Sequence, residues 1–159
     1  MPQPSWRIWL WQFAVTAILA VWWGGLTFYA AIVVPLGIEQ FGGAEQGSLT
    51  QRVTVRLNIA GTIVGIGLLA DALFRRPRNR RAVTASGALL GLQVWLWILH
   101  SRLSRWLDAA SSSPHSDILF YQEHRIYLWV TSAQWLIGLA CLWSWSVRPP
   151  SNPAHNPLA

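Results

Sequence analysis

The amino-acid sequence predicts an all-α integral membrane protein folded as a four-helix up-down bundle. Three observations carry this. Long apolar stretches alternate with short polar ones along the whole chain. Charged residues make up 11% of the sequence and hydrophobic ones 53%, whereas soluble domains carry about 25% charge. No charged residue occurs between Arg7 and Glu39, a run well beyond the roughly 20 residues that cross a bilayer. The same run is too long for a cleaved signal, whose apolar region is about 7–15 residues, and it holds the bulky pair Trp22-Trp23.

The four spans follow in order. A short polar tail precedes Trp6, Trp9 and Trp11, which with Arg7 suit an interfacial anchor. Span one is expected over residues 8–34, stopped by Pro35 and Gly37, because proline disfavours helix in the residue before it. Residues 37–51 read as a polar, glycine-bearing loop. Span two covers 51–74, with Arg52 and Arg56 one turn apart at its start, able to snorkel. Five arginines lie in the seven residues 75–81, which read as a tight loop. Span three covers 82–103. A loop at about 104–121 carries Asp108, a serine run at 111–113, Pro114, His115 and Asp117. Span four covers 122–147, so residues 1–148 form one domain. Residues 149–159 are polar and proline-bearing and read as a disordered cytoplasmic tail.

The chain has a net charge of +6 and no lysine. Its arginines flank apolar spans, which places them under the positive-inside effect and argues against nucleic acid as a partner. Arg7, Arg75, Arg76, Arg78, Arg80, Arg81 and Arg148 share one side; Arg52, Arg56, Arg102, Arg105 and Arg125 share the other. The arginine-dense loop therefore predicts a multi-pass protein with both termini cytoplasmic, and the all-arginine basic set suggests a GC-rich bacterial genome and so the inner membrane. The single cysteine, Cys141, excludes an intramolecular disulfide and a cysteine-only metal site.

Lipid is as apolar as leucine, so helices in it associate through close backbone approach and interhelical hydrogen bonds. Gly24, Gly61, Gly65, Gly87 and Gly91 are the candidate helix-packing residues, the last four as two GxxxG pairs. Asn58, Gln93 and Gln134 lie within spans. An unsatisfied amide in hydrocarbon is costly, so these side chains should point inward and pair, as structural glue or as a polar pathway. No acidic or basic residue is expected at mid-depth, which argues against a proton relay or ion-coupled transport.

His100 and His124 end and begin adjacent spans, and Glu123 and Glu39 are expected on the same outer side. This imidazole–carboxylate set suits zinc, copper(II) or iron, and two histidines suit a haem. The alternative is a set of ordinary interfacial polar residues. No HExxH or paired CxxC occurs. Glu123-His124 is the one adjacent acid–base candidate for an enzyme acting on a lipid or quinone at the interface.

In the stretch Trp22-Trp23-Gly24-Gly25, Phe28 and Pro35 the chain resembles a family of short four-helix membrane proteins of unknown function. The likeness is loosely shared with the membrane domain of copper-resistance protein D, and the arginine-bearing start of span two and His124 at the start of span four fit the same layout. The resemblance implies a metal-linked role. Against that, Met1 is the sole methionine, so thioether ligands for copper(I) are nearly absent. The sequence thus favours a non-catalytic inner-membrane protein, structural or accessory or ligand-binding and without cofactor. Its partners would be the lipid bilayer and either another membrane protein or a second copy. The alternative is a metal- or haem-binding protein related to copper handling.

Overall fold

The computed structural model describes residues 6–74, 80–109 and 114–146. The disordered tail expected at 149–159 and most of the arginine loop lie outside these residues. Everything described is helix apart from the turn at Gly42: α1 (Trp6–Phe28), a π-helical turn (Tyr29–Val33), α2 (Val34–Phe41), α3 (Gly43–Phe74), α4 (Arg80–Ala109) and α5 (Pro114–Ser146). Four stretches are long and apolar enough to cross a membrane: Trp6–Phe41, Glu45–Phe74, Arg80–Arg105 and Phe120–Ser144.

The helices run further than the apolar pattern suggests. Pro35 and Gly37 do not end the first one. A proline inside an α-helix clashes with the carbonyl four residues back. Here the turn before it is widened, and the Val34 N–H donates to Tyr29 O, five residues back. The proline then sits in the first turn of α2, where its missing N–H costs little. The helix stops at Gly42, whose φ of +83° only glycine adopts easily. The Gly42 N–H still bonds Ile38 O at 3.0 Å, and the Gln46 N–H bonds Gly42 O at 3.2 Å. The loop expected over 37–51 is therefore a one-residue turn between two helices. Its glycines mislead a sequence reading, because Gly37 serves packing: a Cβ there would strike the side-chain amide of Gln46.

The helices form a ring. α3 packs on α1 and on α4, and α5 packs on α4 and on α1, so neighbours in the ring are antiparallel. α2 packs on α3 and on the π turn, and among the described residues it does not reach α5. The apolar core lies toward the arginine end of the bundle, where Val15, Leu19, Trp22, Val64, Leu68 and Leu89 form one cluster. Leu96, Leu99 and Val130 form a second, smaller one nearer the other end. The outward faces are apolar as well: Val21, Ile63, Ile66, Val94, Ile98 and Leu136 are all exposed. Buried amides inside and exposed aliphatic residues outside are the arrangement hydrocarbon demands.

Candidate functional site

Between the two apolar clusters the interior turns polar. Asn58 on α3, Gln93 on α4 and Gln134 on α5 are each at most 4% exposed. Helical spacing puts them there: Asn58 lies seven residues before Gly65, which packs against Leu90, while Gln93 lies four after buried Leu89 and Gln134 four after buried Val130. Gln134 Nε2 donates to Gln93 Oε1 at 2.8 Å. The Tyr127 hydroxyl on α5 reaches across the bundle to Asn58 Oδ1 at 3.3 Å. Trp97 Nε1 donates to Thr62 Oγ1 at 3.2 Å, and Trp22 Nε1 to the Leu57 carbonyl at 3.1 Å. Gly61 makes room for this layer, since a Cβ on it would strike Gln93 Oε1 and lie 3.0 Å from Trp22 Nε1.

The layer is not fully paired. Among the described residues, Asn58 Nδ2 and Gln93 Nε2 are buried and without a hydrogen-bond partner. Each amide has committed its oxygen, to Tyr127 and to Gln134 respectively, and so presents a free N–H₂ group. Gln93 lies against Gly61, one helical turn along α3 from Asn58. Asn58 and the glycine that Gln93 packs against are thus about 5 Å apart along the axis of α3.

The seam between α1 and α5 is built from indoles. The rings of Trp23 and Trp135 stack with centroids 4.9 Å apart. Trp23 Nε1 donates to the Trp135 carbonyl at 3.1 Å, and Trp135 Nε1 to Thr27 Oγ1 at 2.8 Å. A Cβ on Gly138 would lie 3.1 Å from the Trp23 ring.

The glycines expected to pack helices divide sharply. Gly61 and Gly65 lie in helix contacts, Gly65 under the Leu90 side chain. A Cβ on Gly24, Gly87 or Gly91 would meet no atom of another element within 4 Å. Those three do not pack helices within the chain, because they lie off the buried faces: Gly24 is two residues from buried Trp22 and Gly91 two from buried Gln93, about 200° around the helix. Gly37 and Gly138 take closely packed positions that the GxxxG pattern does not mark.

Of the rim residues considered for a metal, Glu39 is exposed on α2, which among the described residues has no close backbone approach to α5. His100 contacts Trp97 edge-on at 6.4 Å, and His124 stacks on Phe120 at 5.7 Å, so each ring engages its own helix. Among the described residues no group of three or more His, Cys, Asp or Glu is placed to hold a metal ion; His115 and Asp117 lie outside the residues whose side chains are described. Glu123 instead approaches Arg102 on α4, with Nη1 3.6 Å from Oε1. Arg102 is more than half exposed, and such pairs contribute about 0–1 kcal/mol. Arg102→Ala should accordingly shift stability by less than about 1 kcal/mol, read as the midpoint of unfolding in mixed detergent micelles.

Fold and interior together define a class: a multi-pass, all-α membrane protein with a buried amide layer. No protein-family model, curated protein or solved structure matches the chain.

Proposed function

We propose that this is a non-catalytic accessory protein of the bacterial inner membrane that binds a small lipid-soluble molecule in its amide layer. The observation that carries the reading is the pair of unpartnered N–H₂ groups, Asn58 Nδ2 and Gln93 Nε2, inside a membrane-spanning bundle. An unsatisfied buried donor costs about 1–3 kcal/mol, and in hydrocarbon no bulk water relieves it. Two of them in one layer, on amides whose oxygens are already bonded, favour a site that is completed from outside the chain.

The arginine asymmetry of the sequence supports placing both termini in the cytoplasm, so that the Gly42 turn faces the opposite compartment. A fluorescent protein fused to the C-terminus should then fluoresce, and alkaline phosphatase inserted at Gly42 should be active; the reverse pattern refutes the orientation. The binding reading is tested by native mass spectrometry of the intact protein released from mild detergent. We expect one adduct of small-molecule mass per chain in the wild type, lost in Gln93→Met. A wild type free of any adduct, with Asn58 and Gln93 side-chain amides exchanging only with water, sinks the reading.

A further inference from the structure

We infer that the molecule recognised by the amide layer is a flat conjugated carbonyl compound of the quinone class, held by its carbonyl oxygen. This rests on the ligand-binding reading above and narrows it. The chemistry follows from what the layer has spare. Its unpartnered atoms, Asn58 Nδ2 and Gln93 Nε2, are both donors. The oxygens of the same two side chains already accept, from the Tyr127 hydroxyl and from Gln134 Nε2. A partner must bring an acceptor and has little use for a donor. That selects a carbonyl over an alcohol, an amine or a protonated acid. A site whose buried donors are left unpaired by the wrong molecule discriminates strongly against it.

The surroundings select the shape. Trp22 lies against Gly61 beside Gln93, Tyr127 bonds Asn58, and Trp97 bonds Thr62 one turn beyond. Aromatic rings next to a pair of donors suit a planar ring with an exocyclic oxygen. The medium selects solubility. The amide layer lies within the spans, and the route to it is sideways through the bilayer. At the level of α2, among the described residues, α2 packs on α3 and on the π turn and has no close backbone approach to α5. Below it, the Trp23–Trp135 stack closes the seam. Both donors are fully covered at rest, so a ligand reaches them by parting α1 from α5, and a lipid-soluble compound arrives from that direction.

The probe is decylubiquinone, titrated into the full-length protein in lipid nanodiscs, with quenching of tryptophan fluorescence as the binding signal and its quinol as the comparison. We expect saturable binding, at least tenfold tighter for the quinone than for the quinol, and weakened at least tenfold by Asn58→Leu and by Gln93→Met. Infrared spectra of the wild type with ¹³C-carbonyl quinone should show one carbonyl band shifted to lower frequency on binding; this readout needs no variant to fold. Near-UV circular dichroism confirms that the variants are native. Quinone binding that ignores both substitutions, or equal affinity for the quinol, overturns the inference. Absence of quinone binding while native mass spectrometry still finds an adduct that Gln93→Met removes overturns the quinone assignment and leaves the amide layer as a site for another molecule. Absence of both removes the inference and the binding reading together.

Discussion

Gly61→Leu should destabilise the bundle by about 3–5 kcal/mol, while Gly91→Leu, a chemically identical change in the second GxxxG pair, should stay within about 0.5 kcal/mol. The difference lies in what each new side chain meets. At Gly61 even a Cβ strikes Gln93 Oε1 and presses on the rigid Trp22 indole. Overpacking of this kind costs about 1–3 kcal/mol. The displaced Gln93 also loses its bond from Gln134, which strands further polar atoms at about 1–3 kcal/mol. At Gly91 the added side chain enters open space on an exposed face. Unfolding midpoints in mixed micelles measure the contrast. Equal loss at both sites would mean that the α4 glycines are covered by something other than lipid, a second copy of the chain being the first candidate to test.

The second large effect is non-additive. Gln134→Leu removes the donor that satisfies Gln93 Oε1, and Gln93 Nε2 already lacks a partner. The whole Gln93 amide is then unsatisfied in a low-dielectric interior. A loss of about 2–3 kcal/mol is expected from this single substitution. Gln93→Leu combined with Gln134→Leu replaces both partners by apolar groups and should recover to within about 1 kcal/mol of the wild type, because removing both members of a buried pair is nearly neutral. A double-mutant cycle measures this. Additive losses in the double variant would show that the two amides do not act as a pair. Should the double variant be stable yet lack the bound molecule, the amide layer is kept for recognition and not for folding.

Much of this was legible in the residues, and the parts that were not have physical reasons. All-α class and four spans follow from apolar length alone. The inward-facing amides follow from the cost of burying them in lipid. The correct glycines were also within reach. Asn58, inward by necessity, lies three residues before Gly61 and seven before Gly65, which are near multiples of the helical turn. Gln93 lies two residues after Gly91, on the far side of the helix. Using the amides as a phase reference would have separated the two GxxxG pairs, whereas the motif alone treats them alike. Gln134 four residues before Gly138 marks that glycine in the same way. Helix ends were harder. Pro35 and the glycines at 37, 42, 43 and 47 look like a loop, and nothing local shows that a widened turn absorbs the proline or that Gly42 alone breaks the helix. The rim histidines illustrate a further limit: proximity in span order says which end of the bundle a residue occupies, not which neighbour its ring faces.

The π turn at Tyr29–Val33 behaves as a stored insertion. A turn closed by a five-residue bond holds one more residue than the α-helical turn it replaces. Every position after it is thus rotated by about 100° relative to an uninterrupted helix. The phase of α1, which aims Trp22 and Trp23 at the bundle, and the phase of α2, which aims Gly37 at Gln46, are consequently set independently. Removing one residue from Ala30–Val33 would let this turn close as ordinary α-helix, with Trp22, Trp23 and Gly37 all keeping their faces. Closing the turn as α-helix at unchanged length would instead rotate α2 by about 100°, swing Gly37 away from Gln46 and open the hairpin. The residue count of this segment is therefore a setting of the molecule as specific as any side chain in it.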